Sequence, residues 1–214
     1  IYSINVNATI DVNINNSDSN EVYVGGVLGT TNNNIYEIEF VGDINVGAFG
    51  RNTTSPKYIG GIVGNANACE LHKIHSSVII NTYGNNAYIN TASYFAGIIG
   101  KATGTITINN AYFGNYSSSN YLAQINEYEK SNGSTAYIVA GKSETLSILS
   151  FYSSATFDIK SNNGISSNGN ITASNIYMLD TSYQSLPSKV TSITDANLKD
   201  QSKVNGFDFN NYWC

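Results

Sequence analysis

The chain has 214 residues, 12% of them charged, and carries a net charge of −5 with a pI near 4.8. Its ten Lys and Arg residues are scattered and include a single arginine, Arg51, which argues against nucleic acid or an anionic membrane as a partner, since both demand clustered cations. The 41% hydrophobic share suffices for a core, and no apolar run approaches the roughly 18 residues that a membrane-spanning helix needs.

Residues 1–22 open with IYSINVNATIDVNIN, where Ile and Val alternate with Asn, Asp and Thr, the period-two mark of a half-buried strand. The chain starts at Ile1 without a signal-peptide pattern, so the expectation is a mature or excised piece of a larger parent polypeptide. A heptad then recurs: YVGGVLG (Tyr23 to Gly29), YIGGIVG (Tyr58 to Gly64) and YFAGIIG (Tyr94 to Gly100), with a degraded copy, YIVAGK, from Tyr137 to Lys142. The intervals are 35, 36 and 43 residues, and a period in this range signals a solenoid, propeller or array. Each copy is followed by a polar corner, a strand-like stretch and a polar loop. The reading is an all-β, right-handed parallel β-helix of about five coils, one continuous domain. It comprises an N-terminal partial coil (1–22), repeat coils (23–174) and a C-terminal coil and cap (175–214), the last including a short helical turn around DANLKDQSK.

Within the heptads, Gly25 and Gly26, Gly60 and Gly61, then Ala96 and Gly97, require small size, as expected where backbone meets a large neighbour. The opening tyrosine of each motif is the candidate neighbour. The closing glycines, Gly29, Gly64 and Gly100, are expected to turn the corner with positive φ. Stacking at a shift of 36 places Ile38 beside Ile74, Glu37 beside Lys73 and Glu39 beside His75, and a further 34 brings Ile108 beside Ile74. The corner asparagines Asn32, Asn33, Asn34, Asn65 and Asn67 are expected to stack as amide ladders. Cys69 and Cys214 lie about three coils apart, on the order of 15 Å at ~4.8 Å per coil, beyond the about 7 Å Cα reach of a disulfide. Cys69 should be a free, buried thiol, and Cys214 free or paired outside this chain.

Residues capable of chemistry are few. His72 and His75, three apart in a strand, should point to opposite faces and so not grip one ion. Glu37 and Glu39 share a face at about 6.5–7 Å, a spacing open to paired-carboxylate glycoside chemistry, but a solvated acidic face beside Lys73 accounts for them. Phosphate-binding, zinc-protease and nucleophile-elbow motifs do not occur, and no catalytic residue, cofactor or metal is expected. Sequons stand at Asn7, Asn15, Asn52, Asn115, Asn132 and Asn170, a number that so Asn-rich a chain generates by chance. Asn52 and Asn132, in expected loops, are the candidates for glycosylation. Thr105 and Thr107 alternate as ice-binding faces do, but in one coil only.

The motifs VGGVLG, IGGIVG and AGIIG, each followed by a corner and a strand, resemble the GLUG repeat of filamentous-haemagglutinin-like and IgA-protease-like surface proteins. The segment LKDQSKVNGFDFNNYW, Leu198 to Trp213, is similar to the stretch that closes such arrays. The resemblance implies an extracellular or cell-surface β-helix, an adhesin or passenger segment with no catalytic residues; the reading is an adhesive or structural stalk, whose exposed tyrosines and amides suit a protein or glycan ligand. A polysaccharide lyase or hydrolase on the same architecture, and less so an ice-binding face, are the alternatives.

Overall fold

The computed structural model describes residues 1–14, 20–48, 56–84, 93–114, 123–127, 134–158, 164–167, 169–179, 189–194, 197 and 200–204. Among these, strands dominate, and every strand pair is parallel. Two sheets wind into a β-solenoid of about three turns.

A long strand, β1 (Tyr2–Ile14), lies at the N-terminal edge. The first coil is β2 (Val22–Gly25), β3 (Leu28–Thr31) and β4 (Ile35–Ala48); the second is β5 (Lys57–Gly60), β6 (Val63–Asn67) and β7 (Glu70–Gly84); the third is β8 (Ser93–Ala96) and β9 (Ile99–Phe113), followed by β10 (Gln124–Glu127). Next come β11 (Ser134–Tyr137), β12 (Ala140–Ile148), β13 (Phe151–Ser153) and β14 (Thr156–Asp158), then β15 (Ser166–Ser167), β16 (Asn170–Ala173), β17 (Ile176–Leu179) and β18 (Thr191–Ile193). The four motif strands form a sheet of their own in the order β11-β8-β5-β2, and the long strands run β1-β4-β7-β9 in the larger one. About three turns is fewer than the five coils expected; beyond β12, which also pairs with β9, the described residues add β15 and β16, of two and four residues. Where the helical turn is expected, the described residues show a 3-10 helix at Gln201–Lys203, and most of the closing segment lies outside the described residues.

Register follows the hydrophobic pattern. Ile38 pairs with Ile74 and Glu39 with His75, as the 36-residue shift requires. The next step differs: Ile74 pairs with Ala111, and Ile108 lies beside Leu71 instead. The step is 37 residues, not the expected 34, and relative to the 36-residue repeat the third corner carries one extra residue. Asn67 still faces Thr103, but Glu70 faces Thr107, and the chain takes up the surplus where Gly104 adopts φ 69°.

The core is a set of columns along the axis. One reads Phe40, Ser76, Phe113, Ser153 and Met178, each paired with the next and all buried. Large and small side chains alternate, so each ring spreads over the space its serine neighbours leave. This column explains the second small residue of each heptad. A Cβ on Gly26 would lie 2.8 Å from the Phe40 ring, one on Gly97 2.2 Å from the Phe113 ring, and one on Gly61 2.3 Å from Ser76 Oγ. At Gly26 and Gly97 the large neighbour is therefore a core phenylalanine across the interior, not the motif tyrosine, and at Gly61 it is Ser76 with Val78.

The closing glycines serve close approach rather than positive φ. Positive φ is found at Gly42, Gly104, Gly164 and Gly169, and not at Gly29, Gly64 or Gly100. A Cβ on Gly64 would lie 2.6 Å from the Gly29 carbonyl and 2.7 Å from the Val24 nitrogen; one on Gly100 would lie 2.6 Å from the Tyr58 carbonyl carbon. Each packs backbone on the backbone of the coil before it. Gly29, in the first coil, meets nothing within 4 Å.

Cys69 is a free, buried thiol, and burial pushes it above the ordinary thiol range; Cys214 lies outside the described residues. Among the sequons, Asn7 and Asn170 are exposed on strands, while Asn15, Asn52, Asn115 and Asn132 fall outside the described residues.

Candidate functional site

The outer face of β4, β7 and β9 carries a cluster of aromatic and ionisable side chains, Tyr36, Glu37, Glu39, His72, Lys73, His75 and Tyr112 among them. Its geometry is set by one backbone feature. Ser3, Glu37, Lys73 and Asn110 all have φ of 55–57° and stand one above another, each just before a paired core residue, Ile4, Ile38, Ile74 and Ala111. A residue in this conformation resets the in-out alternation of the strand. Leu71 therefore points in, His72 and Lys73 out, Ile74 in and His75 out again. The two histidines share the outer surface on either side of the kink, not opposite faces of a strand, because Lys73 breaks the period-two rule. The same kink separates Glu37 from Glu39. Glu37 binds Lys73 at 3.1 Å and Glu39 binds His75 at 3.0 Å, so the expected column pairs form and the carboxylates are not a matched couple across a substrate bond.

Aromatic stacks flank the kink. Tyr2, Tyr36 and His72 follow one another at 5.8 and 5.0 Å between ring centres, and Tyr2 is 65% exposed. On the other side His75, Tyr112 and Tyr152 follow at 4.8 and 5.1 Å. His72 also bonds Glu70 at 3.0 Å. Among the described residues no three metal-ligating side chains converge.

His75 occupies an arrangement that sequence reasoning missed. Its Nδ1 faces Glu39, and its Nε2 lies 3.1 Å from Ser77 Oγ, the contact order of a Ser-His-carboxylate relay. Ser77, however, is fully buried and donates its hydroxyl to the Gly114 carbonyl at 2.6 Å, which keeps that oxygen from a carbonyl substrate. The three side chains are instead tied to one another within the wall. Burial lowers His75 to about 4 and raises Glu39, so the two partners' affinities for a proton draw together.

The two shifts act on stability with opposite signs. For His75, the unfolded chain takes up a proton from pH ~6.5 downward while the folded chain resists until about 4, so acidification through that window destabilises. For Glu39, the folded chain binds its proton first, so acidification stabilises. We therefore expect Glu39→Gln to lose stability as the pH falls from 7 to 4.5, by up to about 3 kcal/mol for a shift of this size. His75→Gln should gain stability over the same range, as urea midpoints at each pH would record; like-signed responses would reject the pairing.

A second cluster lies where the outer faces of the two sheets fold toward each other. Tyr23, Tyr58, Tyr94 and Tyr137 stack at 5.7, 5.2 and 6.4 Å. They point away from the core, since Val24, Ile59 and Phe95 between them point in, yet Tyr58 is fully buried. Lys101 covers them, its ammonium 5.7 Å from the Tyr23 ring centre and 5.1 Å from that of Tyr58. Lys101 pairs with Glu21 at 2.6 Å, and Glu21 also accepts bonds from the Tyr23 and Tyr58 hydroxyls. Burial opposes the Glu21 charge, but Lys101 and the two hydroxyls outweigh it, leaving the carboxyl below its usual range. Tyr58 is pushed up by burial and by Glu21. The motif tyrosines thus form a stacked structural seam, buried at Tyr58 and Tyr137 and partly covered at Tyr23 and Tyr94.

The amide ladder exists, but not at the corners. It runs along the long strands: Asn126 donates to Asn81 at 3.0 Å, Asn81 to Asn45 at 2.9 Å, and Asn45 to Asp11 at 2.8 Å. The corner residues bridge coils differently. Asn34 accepts from the Glu70 amide and Asn65 from Thr103. No family model, curated protein or solved structure matches the chain.

Proposed function

We propose that this β-solenoid is a non-enzymatic segment of a cell-surface or secreted protein, an adhesive stalk whose outer kinked face binds a carbohydrate-like ligand. The observation that carries the reading is the open lane of Tyr2, Tyr36 and His72 beside Glu37, Lys73 and Glu70, presented at coil spacing on a stiff parallel scaffold. Phenol and imidazole edges with interspersed carboxylates offer both apolar contact and hydrogen bonds, the mixture that sugar rings use. The resemblance of the glycine-rich heptads to GLUG repeats points the same way, toward an extracellular location.

The test is a panel of neutral and acidic glycans applied to the chain and to the Tyr36→Ala/His72→Ala variant. Binding without product release, weakened at least about tenfold in the variant, which converts to roughly 1.4 kcal/mol, is expected. Glycan cleavage by the unaltered chain would establish instead a lyase or hydrolase, and binding untouched by the substitutions would place the ligand elsewhere.

A further inference from the structure

We propose that the N-terminal face of the solenoid is a socket for one further coil of the same repeat, laid parallel to β1 with a tyrosine-bearing strand over Gly29. Four observations converge on that face. First, β1 pairs with β4 along one edge, and among the described strands none pairs with its other edge. That edge is 13 residues long and holds no Lys, Arg or Pro of the kind that protects exposed strand edges. Second, the inward residues Ile4, Val6, Ala8, Ile10 and Val12 are only partly buried, whereas Ile38, Phe40 and Ile44 on the next strand are at 0–1% exposure. Third, Gly64 and Gly100 press on the backbone of the preceding coil's tyrosine strand, and Gly141 on Tyr94, but the equivalent space at Gly29 is open. Fourth, every asparagine of the amide ladder donates toward the N-terminal end, where the chain of bonds stops on Asp11. A carboxylate only accepts, so the next rung must supply a donor, as an asparagine does.

The occupant that fits is a coil continuing the existing coil-on-coil interface. Ser3 carries the same left-handed kink as Glu37 and Lys73, so the edge keeps the bent outline of an internal strand, which a parallel coil in register matches at every position. A second copy of this chain fits worse. The described strands at its C-terminal end, β15, β16 and β18, are two, four and three residues long and cannot match the 13-residue edge of β1. Its own β1, running antiparallel, would set the Ser3 kink against a straight part of the strand. The mode is strand addition, with main-chain bonds giving affinity and the Gly29 recess giving register.

The test uses the intact chain and a fluorescent synthetic peptide spanning residues 56–84 with Cys69→Ser, followed by anisotropy and sedimentation. One peptide should bind per chain. Gly29→Val, where an added Cβ meets no neighbour within 4 Å, should keep the melting midpoint and weaken binding at least tenfold. Asp11→Arg, on the exposed side of β1, should weaken binding independently. Failure of the unaltered chain to bind the peptide, or equal binding by both variants, would overturn the proposal. So would a concentration-dependent dimer of the chain that Gly29→Val abolishes, which would make a second copy the occupant.

Discussion

Replacing Gly64 or Gly100 with alanine should cost about 3 kcal/mol or more, while the same change at Gly29 should fall within about 0.5 kcal/mol. All three glycines close the same heptad, so a rule based on motif position alone expects equal effects. The structure separates them by what lies underneath. At Gly64 the new methyl would meet the Gly29 carbonyl oxygen at 2.6 Å and the Val24 nitrogen at 2.7 Å. Both are backbone atoms held by parallel pairing, with no rotamer through which to yield. At Gly100 the contacts are the Tyr58 and Ile59 backbone and the Gly64 carbonyl, again below 3 Å. To make room, two coils must move apart along the axis and stretch the hydrogen bonds between them. At roughly 2–4 °C per kcal/mol for a chain of this size, thermal unfolding should separate the variants by on the order of 10 °C. Equal midpoints for Gly29→Ala and Gly64→Ala would reject the stacking contact.

The second large effect lies in the interior. Phe113 is fully buried, stacks between Ser76 and Ser153, meets Phe157 edge-on at 6.2 Å and fills the space over Gly97. With small residues on both sides, its removal leaves a void that no neighbour in the column can close. Phe113→Ala is therefore expected to cost about 3–5 kcal/mol. Gly97→Ala should also destabilise, because its Cβ would sit 2.2 Å from the phenylalanine ring and 2.7 Å from the Ile138 carbonyl. The double variant should be more stable than the sum of the two predicts, since truncating the ring removes the first clash, though not the second. A coupling of about 1–2 kcal/mol in the double-mutant cycle is the expected signature. Strict additivity would mean that Gly97 and Phe113 do not share that space.

The architecture was legible because the heptad and its interval are properties of the chain itself: once Tyr23 and Tyr58 align, strand pairing and the Ile38–Ile74 column follow. Three features were not legible, each for a physical reason. The small residues of the heptad showed that something bulky approached, but only folding reveals that Phe40 and Phe113, far along in the same coil, provide the bulk. The left-handed kink at Glu37 and Lys73 has no sequence mark, because neither is glycine or asparagine. Without it, strict alternation wrongly put His72 and His75 on opposite faces. The step from Ile74 to Ala111 spans 37 residues rather than the 34 that would set Ile108 there, and its one-residue excess over the 36-residue repeat enters at the corner that holds Gly104. The outer face was half visible, since Glu37 with Lys73 and Glu39 with His75 could be paired outward from register alone, whereas Tyr36 and His72 face outward only because of the kink, and the Glu21–Lys101 clasp over the tyrosine seam joins residues 80 positions apart.

The central claim is that successive coils stack in parallel with the register described. Cross-strand NOEs in an isotope-labelled sample test it most directly. The account predicts backbone contacts joining Ile38 to Ile74 and Ile74 to Ala111, together with side-chain amide contacts from Asn45 to Asn81. Contacts that instead join Ile74 to Ile108, or an antiparallel pattern between these strands, would contradict it.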